Sequence, residues 1–231
     1  MITLRHASER GKAHFGWLDS KHSFSFGNYY DPQQMGFSAL RVINDDSVTP
    51  GAGFATHGHR DMEIITYVLE GSIAHKDSEG NVQVLAAGEF QLMSAGSGIT
   101  HSEYNASATE PLTFLQIWIQ PNTLGNTPRY QQKNFGQAVG LTTIATPTGK
   151  DASLQIKQNA TLSQLILAPH SEMTYTLAAT RKVYVHQIAG ELVLETEILA
   201  TGDGAKITDV QTITLKNTQD DQSTALIFDL P

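Results

Sequence analysis

Apolar residues along this chain fall into short alternations and short runs, each closed by turn residues, which is the pattern of β-strands. Met62 to Leu69 is rich in β-formers and ends at Glu70-Gly71. Ser72 to Lys76 and Val82 to Leu85 flank Asp77-Ser-Glu-Gly80-Asn81, a hairpin signal. Glu89 to Met93 and Ile99 to Tyr104 are further short strands, and Leu112 to Ile119 is apolar enough for a strand buried on both faces. Nearer the N-terminus, His22 to Phe26 alternates, Asn28-Tyr-Tyr-Asp-Pro32 is a turn, and Phe37 to Val42 reads as a strand that Asn44-Asp-Asp46 ends. Pro121 to Gly140 reads as a polar linker with one short helical piece over Tyr130 to Asn134. Strand signals then resume at 154–157, 162–167, 173–177, 183–188, 191–199, 210–215 and 225–229.

The two halves share a pattern. Tyr67-Val-Leu-Glu-Gly71 resembles Val185-His-Gln-Ile-Ala-Gly190, and Leu85-Ala-Ala-Gly88-Glu89 resembles Leu199-Ala-Thr-Gly202-Asp203. The expectation is an all-β chain of two similar jelly-roll-like β-barrels, residues 1–125 and 126–231.

Composition narrows the classes of function. With 40% hydrophobic and 16% charged residues, the 231-residue chain is globular and long enough for a buried core. A net charge of −8 and scattered basic residues leave no footprint for nucleic acid or an anionic membrane. The absence of cysteine removes disulfides, thiolate nucleophiles and Cys-ligated zinc. No segment has the length of a signal peptide's apolar stretch or of a membrane span, so the expectation is a soluble, cytoplasmic protein.

Candidate chemistry concentrates in residues 51–105. His57 and His59 stand two apart, as do His101 and Glu103, and that spacing puts each pair on one face of a strand. Two such strands meeting inside a barrel would aim three imidazoles and a carboxylate at one point, a shell suited to a transition metal. Glu63 is an alternative carboxylate, because 57, 59, 61 and 63 share a face in an unbroken strand. One pair alone would read as surface polarity or a satisfied buried network. Two pairs beside glycines favour a metal. His6, His14, His22, His75, His170 and His186 lack such company and read as ordinary histidines; His170-Ser-Glu172 mimics the second pair but reads as a turn. Phe37, Ile43, Phe54 and Met93 would suit an aromatic substrate, with core packing the simpler role for each, and Arg60 would hold a polar group or pair with an acid.

Gly51, His57, His59, Glu63 and Gly71, then Gly88, Gly98, His101 and Asn105, resemble the two-part pattern of the cupin superfamily. Gly71 comes one residue later than usual, the segment after Met93 is longer, and Ser94 stands where proline is common. Trp17-Leu-Asp-Ser, His22-Ser-Phe-Ser-Phe26, Tyr30-Asp-Pro, Gly36-Phe-Ser-Ala-Leu-Arg-Val-Ile-Asn44 and Ser94-Ala-Gly-Ser-Gly-Ile-Thr-His-Ser-Glu-Tyr-Asn105 resemble the pirin family, densely over residues 1–120 and more thinly afterwards.

That resemblance implies a bicupin with one metal, in the N-terminal barrel, held by His57, His59, His101 and Glu103. It chooses Glu103 over Glu63, which strand parity alone does not. Iron comes first among the candidates, and nickel, copper, manganese, cobalt or zinc also accept these donors. Four protein ligands on a six-coordinate ion leave two positions open. The implied activity is that of a quercetin 2,3-dioxygenase, with a small aromatic flavonol and O2 as partners and Glu103 accepting the substrate's 3-hydroxyl proton. The alternatives are a metal-bearing regulatory or redox-sensing binding protein, with a protein partner, or a cupin enzyme for another small molecule.

Overall fold

The computed structural model describes residues 1–231, almost all of them in β-strands and short connections. Its helical elements are two 3-10 turns, Ala7–Glu9 and Lys150–Ala152. The all-β expectation holds, and the chain forms two compact units. One contains residues 11–136 and 156–158, and the other residues 1–10, 137–155 and 159–231.

This division differs from a boundary at 125/126 at both ends of the first unit and at residues 156–158. Arg129–Asn134, expected as a helical piece of a linker, is a strand paired antiparallel with Glu89–Ser94. Its alternate side chains reach that unit: Tyr130 packs against His75, and Gln132 donates to Val84 O and to Glu89 Oε2. Polar contacts hold this edge strand, so its sequence carries no apolar alternation. At the other end, Ile2–Arg5 pairs with Gly204–Ile207, which places the first ten residues in the second unit.

The first unit has a seven-stranded antiparallel sheet in the order Arg129–Asn134, Glu89–Ser94, Glu63–Glu70, Leu112–Ile119, Leu40–Val48, Leu18–His22, Gly11–His14. Its four-stranded sheet runs Gly53–His59, Ile99–Asn105, Ser72–Asp77, Val82–Ala86. Val48, Val68, Leu112 and Phe114 of the large sheet pack with Ile73 and Leu85 of the small one, closing one part of the sandwich with an apolar core. Asn44-Asp45-Asp46, expected to end a strand, lie inside Leu40–Val48. Asn44 and Asp46 are buried on the inner face, so their polarity marks the interior of the barrel and not a turn.

The second unit repeats this plan. Its large sheet centres on Gly204–Ile207, Lys182–Ala189, Ser223–Leu230 and Thr161–Leu167, and its small sheet runs Ser171–Thr176, Thr212–Asn217, Leu192–Leu194, Glu197–Leu199. The repeat extends to single atoms. Asn105 Nδ2 donates to Val48 O and Glu110 O, and its Oδ1 accepts from Ser107 N. Asn217 Nδ2 donates to Leu167 O and Asp221 O, and its Oδ1 accepts from Gln219 N. Counting back from these asparagines, Leu215 corresponds to Glu103 and Ile213 to His101. Counting forward from Gly88 and Gly202 would set Leu215 against His101 instead, because the second half is two residues shorter between its glycine and its asparagine.

Candidate metal centre

Polar residues occupy core positions in the small sheet of the first unit. Along Ile99–Asn105 the buried positions are Ile99, His101, Glu103 and Asn105, and Thr100 and Tyr104 face outward. The neighbouring strand Gly53–His59 pairs His57 with His101 but Phe54 with Glu103, so an extra residue is bulged out between them. The bulge turns both Phe54 and His57 toward the interior despite their odd spacing. It also directs the Ala55 carbonyl at His57: Nδ1 lies 2.8 Å from Ala55 O. That bond places the proton on Nδ1 and leaves Nε2 as a free lone pair.

Ring centroids are 4.8 Å apart for His57 and His59, 4.6 Å for His57 and His101, and 4.9 Å for His59 and His101. One nitrogen from each of the three lies within 4.8 Å of the others. Burial holds His59 down to about 4, with His57 adding to the effect. Burial likewise lowers His101 to about 3, followed by the neighbouring His57, His59 and His75. Both rings are therefore neutral at pH 7, the form that binds a metal. Both ring nitrogens of His101 are buried with no hydrogen-bond partner, an arrangement that costs free energy unless something else binds there. The donor set fits a divalent transition metal, with imidazole nitrogens and no sulfur.

Glu103 is buried behind His101 and belongs to a second cluster, with His75 and His101, whose ligand atoms also lie within 4.8 Å of one another. Its Oε2 accepts from Gln116 Nε2 at 3.0 Å, and its Oε1 accepts from Thr66 Oγ1 at 3.3 Å. Thr66 in turn accepts from Gln91 Nε2 at 3.4 Å. Burial pushes the Glu103 carboxyl up to about 7 against the pull of these donors. A cation beside it would favour the carboxylate.

Glu63, the alternative carboxylate, lies elsewhere. Asp61 adopts a left-handed φ of 49° and ends the continuity from His59, so Glu63 opens a strand of the other sheet. It accepts from Ser94 Oγ at 2.9 Å and from Lys157 N at 3.1 Å.

Several residues of the centre carried no signal that the sequence reading used. His75 Nε2 lies 3.1 Å from Asp77 Oδ2, and its ring centroid is 5.3 Å from that of His101. The His75/Asp77 spacing repeats that of the other pairs and would have flagged it. Gln116 and Thr66 are polar residues inside apolar strands, at inward positions opposite one another. They belong to a polar row that crosses the large sheet by strand register: His22, Asn44, Gln116, Thr66, Gln91.

His57 and His59 open on a cavity of about 600 Å³, a volume suited to a small organic ligand. Phe26, Tyr29, Phe54 and Trp118 supply its aromatic wall, and Ser20, Asn44, Asp46 and Gln116 its polar wall. Of the substrate contacts expected from sequence, Phe54 lines this cavity. Ile43 faces away on its strand, opposite Ile117. Met93 packs in a core cluster with Ile64, Ala95 and Ile99, and Phe37 bridges back to Leu40. Arg60 lines a separate shallow depression beside Gly98 and Thr100. In the second unit Tyr175, Ile213 and Leu215 stand at the matching register in place of His57, His101 and Glu103 and join its apolar core.

Comparison with known proteins agrees with this plan. The pirin family model matches residues 3–119, and a model described as the quercetinase C-terminal cupin domain matches residues 143–230. A quercetin 2,3-dioxygenase of Escherichia coli strain K12 is 50% identical over 231 residues, covering 100% of this chain and 99% of that protein. A pirin-like protein of Caulobacter vibrioides is 42% identical over 224 residues, covering 95% and 96% of the two chains. The crystal structure of the bacterial pirin YhhW from Escherichia coli in complex with nickel(II) superposes with a TM-score of 0.97 at 49% identity, covering 100% of this chain and 99% of that one.

Proposed function

The chain belongs to the pirin family, and from that premise we propose that it is a metal-dependent dioxygenase that opens the central ring of a flavonol such as quercetin. One observation carries the reading most: three imidazoles cluster together, and two of them, His57 and His59, line an aromatic-walled cavity with the buried Glu103 carboxyl, large enough for such a ligand. Relatives named quercetin 2,3-dioxygenase support this choice of substrate class.

His57, His59, His101 and Glu103 would hold the metal. The sequence reading puts iron first, and nickel is the ion in the Escherichia coli structure. When bound, the ion supplies Lewis acidity at the flavonol's 3-hydroxyl and 4-carbonyl oxygens. The chain's own residues do the rest. Glu103 accepts the 3-hydroxyl proton while Gln116 and Thr66 hold its carboxylate in place. Phe54 and Trp118 flank the planar ring, and the closed sandwich limits water around it. The deprotonated flavonol is electron-rich and reduces dioxygen. Two ring C–C bonds break, carbon monoxide leaves, and both oxygen atoms of O2 enter the products without an external reductant.

Labelled dioxygen tests this reading directly. Metal-loaded protein, quercetin and 18O2 should give carbon monoxide and a ring-opened ester carrying label. Quercetin loss with no carbon monoxide would point to simple oxidation and overturn it.

A further inference from the structure

The polar wall of the cavity has hydrogen-bond capacity that the chain leaves unfilled. Asn44 is 2% exposed and Asp46 4% exposed, and both line the cavity. They occupy consecutive inward positions of Leu40–Val48, so their Cα atoms stand about 7 Å apart. Asp46 takes one hydrogen bond from Ser20, its partner on the adjacent strand. Its Oδ1 has none, and neither has Asn44 Oδ1. Two buried acceptors without donors, on neighbouring inward positions of one strand, are costly to the free protein. Such a cost is recovered when a ligand brings the donors.

We propose that Asn44 and Asp46 form a hydroxyl-recognition subsite that selects flavonols carrying phenolic hydroxyls beyond the one that meets Glu103. This rests on the reading of the cavity as a flavonol site and adds which flavonols it takes. The chemistry is one-sided in a useful way. Both Oδ1 atoms are closed off from solvent, so a ring with hydroxyl groups satisfies them once each side chain turns toward it, and a bare ring leaves them unpaired. Sites built to hydrogen-bond a ligand hydroxyl reject the analogue without it far more strongly than apolar pockets reject a missing methylene. Asp46 keeps one accepting oxygen whether or not its carboxyl is protonated. The aromatic wall supplies affinity for either ring, and the Asn44–Asp46 edge supplies the choice.

The test is binding to metal-loaded protein under nitrogen, read by fluorescence quenching and independent of turnover. The probes are quercetin and 3-hydroxyflavone, which has the chelating 3-hydroxyl and 4-carbonyl but no other hydroxyl. Wild type should prefer quercetin by about tenfold or more. Asp46→Leu should bring that ratio to within about threefold, and Asp46→Asn, which retains an acceptor, should keep most of it. If Asp46→Leu does not fold, Asn44→Leu makes the same comparison. Equal binding of the two probes by wild type, or an unchanged ratio in folded leucine variants, would overturn the subsite and leave the flavonol reading standing. Failure of both probes to bind would overturn the flavonol reading, and the subsite with it.

Discussion

Gln116 Nε2 sits 3.0 Å from Glu103 Oε2 and ties a strand of the large sheet to the carboxyl group of the small one. The protein groups around the carboxyl are neutral donors: this amide, the Thr66 hydroxyl and the Gln91 side chain. Gln116→Leu should leave the histidine cluster in place and let Glu103 lose its orientation. The expected result is unchanged folding, metal affinity lower by about 10–100-fold, and lower kcat, as for partners that orient metal ligands. Metal content by elemental analysis beside kcat checks it, and Gln116→Glu should not rescue, because it sets two carboxyls together.

Removing a histidine should have a larger effect. His101 contributes its nitrogens from the centre of the cluster, with both buried and unpartnered. His101→Ala should abolish metal retention and turnover together, and His57→Ala should do the same. Normal turnover in either variant without bound metal would contradict the assignment.

Asp77 has two tasks. Its Oδ2 holds His75, and its Oδ1 accepts from the backbone N–H groups of Glu79 and Asn81, fixing the hairpin turn. Asp77→Ala should therefore destabilise the first unit by about 2–3 kcal/mol, since it leaves a buried imidazole unpaired and loosens the turn. A chemical denaturation curve followed at both units would show the loss.

Acid should weaken the second unit through His186. Burial, with the positive charge of Arg10 acting in the same direction, lowers its pKa to about 3. The unfolded chain takes up this proton near 6.5. The stability tied to the neutral ring is thus complete above pH 6.5 and is lost as pH falls toward 3, at about 1.4 kcal/mol per pH unit. His186→Leu should reduce the fall in unfolding free energy between pH 6.5 and 5 by about 2 kcal/mol, measured by urea titration at each pH. His59 and His101 contribute with the same sign in the first unit and should be unaffected by this substitution.

The repeat was legible in two glycines. Gly71 and Gly190 both have left-handed backbones, with φ of 79° and 74°. A Cβ would lie 2.5 Å from Pro111 O at the first and 2.7 Å from Gln222 O at the second. Alanine at either position should destabilise its own unit by at least about 2 kcal/mol, through both strain and collision. Calorimetry that separates the two transitions would show which unit moved.

Strands that bury an apolar face announce themselves by alternation, and so Glu63–Glu70, Ser72–Asp77 and Leu112–Ile119 could be read almost to their ends. Arg129–Asn134 could not, because an edge strand held by Tyr130 and Gln132 has no apolar period. Leu40–Val48 was cut short for the opposite reason: polar residues facing a cavity look like a turn. The same confusion hid Asn44, Asp46 and Gln116 from a search for functional residues. His57, His59 and His101 were visible as spaced pairs, and what spacing could not supply was the bulge at Ala55 or the break at Asp61 that separates Glu63 from them.

The central claim is tested most directly by the flavonol absorbance band. Purified protein of known metal content is mixed with quercetin in air and under nitrogen. The account predicts loss of the band in air, at a rate proportional to bound metal, and no loss under nitrogen or after chelation. A band that persists in air with iron-, nickel-, copper-, manganese- and cobalt-loaded protein alike would contradict it.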